Sequence, residues 1–462
     1  MFTRIVIDNF KSFLHLDLDI SKNKRSAKEI IAIYGENGGG KTNLVSVFMN
    51  LALSLQTMTN QKRAAELQAE LMADTDNGGD GDSLDKSQLL REYIRTQGMP
   101  YSTIVGVFKN AYTIGEVNPM RIRYEFVIDE HKGFYELVFK REGDTVYLAS
   151  EELNFLLKQS SGRMFKISRD ANDGITPYFS PSLFDGNMKL TDLLLDEITR
   201  VWGKHTLLAI FNNLAGESNE QYIQDNTNVN FLEVLNTFKR IAFRTDGVSG
   251  VNSFTGLLDD LLRGEIADTA SEKRKLMLSQ ETVNKYFVPL YSDIINLFYK
   301  VKKNSSNKID YVLYEKKRIG GKIVEIPFSS ESHGTRELLG LLPLLLNAVH
   351  GETVIIDEID QGIHDLLIDR LIDNVKEDLN GQLIFTTHDT QVMQQLEPSS
   401  LYIIQSDVDG NKRVEALSKT AHKGIAAHNN IQKKYIEGYF AGIPYADDVD
   451  FEDIMRGLEV GQ

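Results

Sequence analysis

Two short runs carry the residues of this chain best suited to chemistry: Gly35-Glu36-Asn37-Gly38-Gly39-Gly40-Lys41-Thr42 near the start, and Asp357-Glu358 far downstream. The first is a G-x-x-x-x-G-K-[ST] pattern, in which glycines let successive backbone N–H groups turn inward around phosphate oxygens. A helix after the loop adds the positive end of its dipole. In this reading Gly35, Glu36, Asn37, Gly38, Gly39 and Gly40 form the cradle, Lys41 neutralises the β- and γ-phosphates, and the Thr42 hydroxyl ligates Mg²⁺. The second run closes the apolar stretch Thr353-Val354-Ile355-Ile356, so its carboxylates stand at the end of a buried strand. There Asp357 holds Mg²⁺, directly or through water, and Glu358 polarises the water that attacks the γ-phosphate. The cofactors this chemistry calls for are ATP and Mg²⁺.

The elements that must position these groups are legible around them. Ile30-Ile31-Ala32-Ile33-Tyr34 reads as a buried strand, and Asn43 to Met49 opens a helical pattern, which gives the glycine loop a strand–loop–helix setting. Roughly 300 residues then separate Lys41 from Asp357, far more than a compact doubly wound nucleotide domain needs, so an insertion is expected to split the core. Gln61 to Met72 is helical in composition, and Asp74 to Asp85 reads as a loop. Strand-like text follows from Tyr101 to about Leu148, including Val105 to Phe108, Met120 to Ile128 and Gly133 to Phe139, and implies an antiparallel sheet with hairpins. Helical spacing dominates from about Asn187 to Lys300, through Leu190, Leu193, Leu194, Ile198 and later Phe287, Leu290, Ile294, Leu297 and Phe298. Strands resume near Ile309. The expected organisation is a first lobe over 1–186, a helical insertion over 187–300 serving assembly or partner contacts, and a second lobe with a C-terminal tail over 301–462.

Composition narrows the class. The chain has 462 residues, 42% of them hydrophobic and 25% charged, with a net charge of −15 from 51 Lys+Arg and 66 Asp+Glu. Such acidity works against strong non-specific attraction to nucleic acid, so nucleic acid is a disfavoured partner. The absence of cysteine excludes disulfides and thiolate zinc sites. No basic leader precedes an apolar export segment and no run reaches membrane-spanning length, so a cytoplasmic protein with no membrane partner is expected. Asp407 and Asp409 could form an acidic nuclease pair, but Asp409-Gly410-Asn411 between two apolar runs reads better as a hairpin turn. The acidic run Asp447 to Asp453 reads as a solvated helix start.

Further motifs complete a pattern: the opening Asn9-Phe10-Lys11-Ser12-Phe13, Glu331-Ser332-His333-Gly334-Thr335 before an apolar helix, Asp357-Glu358-Ile359-Asp360 with His364 following, Phe385-Thr386-Thr387-His388, and the closing His428-Asn429-Asn430 and Gly442-Ile443-Pro444. In this order they resemble the ABC-type ATPases of the SMC/RecF/OLD group. Within that group they are similar to the AAA-class ATPases of bacterial abortive-infection and phage-defence operons, the RloA-like proteins and the ATPase subunits of two-gene defence systems. The resemblance implies an α/β fold of the P-loop, ABC-ATPase type: a mixed sheet with an antiparallel β subdomain, interrupted by the helical insertion. It implies a Walker B role for Asp357 and Glu358, and a signature in which Ser332 and Gly334 of one protomer bind the γ-phosphate held by another. It also makes His388 the switch histidine that senses that phosphate, and the loop from Asp360 to His364 a D-loop at the dimer interface.

Residue chemistry offers local alternatives, with Ser332 and Asp360 as simple helix caps. A Q-loop glutamine has no assigned position, Gln97 being a weak candidate. The function implied is a slow, Mg²⁺-dependent ATPase that forms a dimer or higher homo-oligomer around ATP. It would act as sensor or regulator of an effector protein from the same operon, a nuclease, in anti-phage defence. The alternatives are a RecF-like DNA-repair clamp and an ATP-bound scaffold with little hydrolysis.

Overall fold

The fold is that of a computed structural model, which describes residues 1–76, 101–170, 172–217, 220–245, 248–250, 256–305, 307–420, 431–440, 442 and 449–459. Gln97, His428-Asn429-Asn430, Ile443, Pro444, Asp447, Asp448 and the expected loop beyond residue 76 lie outside the described residues.

A seven-stranded sheet of strand order β12-β11-β17-β18-β5-β19-β20 organises the molecule. Five central strands run parallel: β11 (Ile241–Thr245), β17 (Thr353–Ile356), β18 (Gln382–Thr386), β5 (Ile30–Tyr34) and β19 (Leu401–Ser406). Antiparallel edges are added by β12 (Val248–Gly250) and β20 (Lys412–Ala416). Parallel strands buried on both faces need near-continuous apolar sequence, which is why these segments read as unbroken Ile, Val and Leu. Alternation decides which residue faces which core. Ile31 and Ile33 of β5 join one cluster and Ala32 and Tyr34 the other.

The first face packs on α1 (Lys41–Ser54) and on a second, wholly antiparallel sheet. Its order is β10-β9-β8-β7-β6-β1-β2. The strands are β1 (Phe2–Phe10), β2 (Phe13–Asp19), β6 (Met120–Ile128), β7 (His131–Glu142), β8 (Thr145–Leu156), β9 (Ser161–Arg169) and β10 (Ile175–Phe179). A small hairpin of β3 (Ser21–Asn23) and β4 (Ser26–Ala27) follows β2. The helix α2 (Thr57–Asp76) continues from α1, and the short α3 (Ile104–Val107) leads into β6. Gln382 staples the two sheets together. Its side chain accepts from Phe2 N at 2.8 Å and donates to Phe2 O at 2.9 Å, with no exposure to solvent.

The second face carries a smaller antiparallel sheet of β13 (Arg263–Ala267), β14 (Ile294–Lys303), β15 (Lys308–Ile319) and β16 (Lys322–Pro327). With it lie α8 (Ala270–Phe287), α9 (His333–Val349) and α10 (Asp365–Asp378). The C-terminal part contributes α11 (Leu417–Thr420), α12 (Ile431–Ile436) and α13 (Phe451–Glu459), the last beginning in the acidic run as expected.

Three expectations need correction. Residues 187–300 are not one helical insertion. Helices α4 (Met188–Val201), α5 (Leu207–Glu217), α6 (Glu220–Asp225) and α7 (Val229–Lys239) bury their apolar faces in the same core as the antiparallel sheet, and β11 then enters the central sheet beside β17. The boundary at 187 therefore cuts a continuous core, and the interruption of the nucleotide fold is distributed rather than discrete. Residues 294–298, read as helix, form β14, because pairing with β15 decides a short apolar run that both periods can fit. Residues 105–108, read as strand, fall in or beside α3, where the Thr103 hydroxyl accepts from Gly106 N and caps the turn.

One buried acid joins the helices to the antiparallel sheet. Glu151 on β8 accepts from Tyr135 Oη at 2.8 Å, Trp202 Nε1 at 2.9 Å and Leu207 N at 2.7 Å. Burial pushes its pKa up from 4.5 to about 7, against the pull of those donors. A group harder to ionise when folded favours the fold below its unfolded pKa and loses that contribution as the pH rises through about 7. Glu151→Gln supplies a similar hydrogen-bonding set without ionising. Melting temperatures taken from about pH 6 to about pH 8.5 should show the variant gaining on the wild type up to about pH 7 and holding a constant lead above it. A constant difference across the whole range would mean that Glu151 does not titrate there.

Candidate nucleotide and catalytic site

The C-terminal ends of β5, β17 and β18 bring the two distant motifs together. The chain leaves β5 at Tyr34, turns through Gly35 to Gly40 and enters α1 at Lys41. Gly38 and Gly40 hold φ values of 74° and 107°, a region side-chain-bearing residues avoid, and a Cβ on Gly39 would lie 2.8 Å from Glu36 O. Gly39 N donates to that same carbonyl at 2.9 Å, which closes the loop into a cradle. No side chain caps α1, so its first N–H groups are left to an anionic ligand. Lys41 Nζ donates to Gly35 O at 3.0 Å and Glu36 O at 3.1 Å. Its pKa is lowered by burial, against the attraction of Glu358, Asp357 and Asp360. A buried ammonium satisfied by loop carbonyls beneath a ring of N–H donors suits a polyphosphate.

Strand β17 delivers Asp357 and Glu358 opposite this loop. Asp357 is 7% exposed; its N–H donates to Arg244 O at 2.8 Å and its Oδ1 accepts from Thr386 Oγ1 at 2.6 Å. The same Thr386 hydroxyl accepts from Glu358 N at 2.7 Å, so one side chain of β18 fixes both carboxylate positions. Glu358 adopts φ 49°, a left-handed conformation that costs a non-glycine residue about 1 kcal/mol or more. Thr42, Asp357 and Glu358 line one cleft of about 670 Å³ with Arg244, Glu337 and Gln361. Among the described residues no three His, Asp or Glu cluster as a metal site. Thr42 and Asp357 would be the residues to hold Mg²⁺ here, where it would neutralise phosphate charge, since the Thr386 contact uses only one Asp357 oxygen.

His388 follows β18 directly. Its N–H and that of Asp389 donate to Asp360 Oδ2 at 3.0 and 3.1 Å, so Asp360 holds the histidine turn and does not cap a helix. The cap of α10 is His364, whose Nδ1 accepts from Leu366 N at 3.3 Å. Burial lowers the His388 pKa, and the Lys41 charge lowers it further.

Ser332 caps α9, its Oγ accepting from Thr335 N at 3.2 Å. Gly334 packs against the D-loop of its own chain, where a Cβ would come within 2.0 Å of Gly362 O. Neither residue lines the cleft that holds Thr42, Asp357 and Glu358. The structure thus brings Thr42, Asp357 and Glu358 to one cleft and sets Lys41 and His388 within electrostatic reach of both carboxylates, while Ser332 and Gly334 do not line that cleft. Arg244 went unnoticed in the sequence. It extends from β11 into the cleft, and its Nη1 donates to Glu337 Oε2 of α9 at 3.1 Å, joining the central sheet to α9. Only its place on a strand paired with β17 could have revealed it.

The strand order, with β18 between the loop strand and the carboxylate strand, and the antiparallel sheet packed on α1 make this a mixed α/β P-loop fold of the ABC-ATPase type. Residues 230–394 match the family model described as AAA domain, putative AbiEii toxin, Type IV TA system. That segment is similar to an AAA domain. It takes in Ser332, Gly334, Asp357, Glu358 and His388 and stops short of the glycine loop. No curated protein matches the chain. Solved structures that align with it include an SMC head bound to the C-winged helix domain of ScpA, at 13% identity over 91% of this chain and 99% of that one with a TM-score of 0.41. Another is the SMC head domain from Thermotoga maritima, at 12% identity over 90% and 98% with a TM-score of 0.36. A third is an SMC head domain with an extended coiled coil bound to the C-terminal domain of ScpA derived from Pyrococcus furiosus, at 13% identity over 90% and 97% with a TM-score of 0.37. Among the described residues no helix is long and apolar enough to cross a membrane.

The environment of His388 makes a direct prediction. In NMR titrations its imidazole should change charge below the ordinary value of 6.5, and Lys41→Gln should move that midpoint upward by removing a nearby positive charge. A midpoint at or above 6.5 that ignores Lys41→Gln would separate His388 from the phosphate loop electrostatically.

Proposed function

We propose that the chain is a Mg²⁺-dependent ATPase that closes as a dimer around two ATP molecules. The observation that supports this best is the Thr386 hydroxyl, which bonds Asp357 Oδ1 and the Glu358 amide at the end of the strand that pairs with β5, the strand leading into the glycine loop where Lys41 is held. Bound Mg²⁺ supplies neutralisation of phosphate charge. The protein's own part is to seat the polyphosphate on Gly38, Gly39, Gly40 and Lys41, to orient water at the Glu358 carboxylate, and to present His388, neutral at physiological pH, to the terminal phosphate. Ser332 and Gly334 would complete the site of a second protomer, which agrees with their standing outside the cleft of their own chain.

The role in the cell rests on family analogy. The match to a domain described as a putative AbiEii toxin of a Type IV TA system supports a regulator in anti-phage defence that controls a partner effector, a nuclease encoded beside it. The acidic balance of −15 favours this over a DNA-repair clamp.

Glu358→Gln should retain ATP and accumulate the closed dimer with hydrolysis reduced by a factor of about 100 or more, since water activation is lost while the phosphate ligands remain. Lys41→Ala should lose nucleotide. Retention and turnover equal to wild type in Glu358→Gln would overturn the catalytic assignment. Composite sites have a separate test: mixing Lys41→Ala and Ser332→Arg chains should restore about one working site per heterodimer, each variant alone being inactive. A dead mixture in which heterodimers are demonstrated by native mass spectrometry would confine the signature to its own chain.

A further inference from the structure

The catalytic groups give a bound nucleotide a direction. Asp357 and Glu358 follow β17 and His388 follows β18, all on one side of β5. A triphosphate lying on the glycine loop with its reactive end toward them must send its sugar and base to the other side, toward β19 and β20. The molecule has a second cleft there, of about 560 Å³, lined by Gln405, Asn411, Lys412, Arg413, Tyr439 and Phe440 among others.

Three contacts join this cleft to the loop. Lys412 Nζ donates to Gly38 O at 3.1 Å. Gly442, just beyond the cleft, packs on β19, where a Cβ would lie 2.6 Å from Ile403 Cγ2 and 3.0 Å from Ile404 O and would reach van der Waals distance of Gly35, and Tyr435 Oη holds it by donating to Gly442 O at 3.0 Å. Tyr435 in turn lies against Tyr34, the last residue before the loop, with ring centroids 5.8 Å apart. Resting on the reading of the glycine loop as an ATP site, we propose that this second cleft takes the nucleobase and ribose of the same nucleotide, with Tyr439 as the stacking surface and Lys412 bridging base and phosphate subsites.

The chemistry suits a base held by its face and charge more than by its edge. Tyr439 is 65% exposed beside the buried ring of Phe440, while Lys412 and Arg413 bring positive charge. The amides that could read a base edge are already engaged. Gln405 donates to Phe440 O at 2.7 Å and accepts from Arg413 Nε at 2.8 Å, and Asn411 donates to Asp407 Oδ2 at 3.0 Å. Discrimination between adenine and guanine is therefore weak, and the cleft contributes affinity through stacking.

Calorimetric titration of the full chain with ATP, GTP and inorganic tripolyphosphate, each with Mg²⁺, tests this. Tyr439→Ala should weaken ATP and GTP about tenfold and leave tripolyphosphate within about twofold of wild type, with Tyr439→Phe restoring ATP. Lys412→Ala should weaken all three ligands. If ATP binds Tyr439→Ala and Arg413→Ala as it binds wild type, the base lies elsewhere. Equal loss of ATP and tripolyphosphate in Tyr439→Ala also overturns the subsite, because the segment would then only prop the loop. A wild-type chain that binds neither ligand overturns the ATP reading and the subsite together.

Discussion

The fold turns on the placement of one strand. β18 hydrogen-bonds to β5 on one side and to β17 on the other, and thereby holds a glycine loop and a carboxylate pair, distant in sequence, at one edge of one sheet. Its last residue, Thr386, converts strand order into site geometry: a single hydroxyl donates to Asp357 and accepts from the amide of Glu358. Because that hydroxyl is fully buried, removing it would leave Asp357 Oδ1 and the Glu358 amide short of a partner, an unfavourable state for buried polar groups. The left-handed backbone at Glu358 is held in place by the same contact.

Packing around this strand explains how the site communicates with the rest of the molecule. Gln382, at the start of β18, is bonded to Phe2 of the antiparallel sheet, so that sheet and the Asp357-Glu358 pair are attached to opposite ends of one five-residue strand. On the other flank, Arg244 of β11 bonds Asp357 through its backbone and Glu337 of the signature helix through its side chain. The signature helix lies in turn on Gly362 of the D-loop. A continuous set of contacts thus runs from α9 through Glu337 and Arg244 to the backbone of Asp357.

Electrostatics of the site follow from burial. Lys41 and His388 both have lowered pKa values, each mainly from desolvation, while the neighbouring carboxylates of Asp357, Glu358 and Asp360 oppose the shift at both. The Lys41 charge adds to burial in disfavouring the imidazolium of His388, and the neutral imidazole can offer a hydrogen bond without adding charge.

What the sequence alone determined was local: the glycine loop between a strand and a helix, the apolar run ending in Asp357-Glu358, Ser332 before its helix, and the turn at Asp409-Gly410 that joins β19 to β20. Each is written in consecutive residues, because backbone conformation and short-range hydrogen bonding depend on near neighbours. What the tertiary structure decided was who meets whom. That β11 stands beside β17, that residues 294–298 pair as a strand, that Arg244 reaches Glu337, that Asp360 holds the His388 turn, and that Lys412 touches the glycine loop are all settled by contacts between segments far apart in the chain. An apolar helix face and an apolar strand look alike when each needs only a surface to bury against, and in a folded chain that surface is supplied by partners the local sequence does not specify.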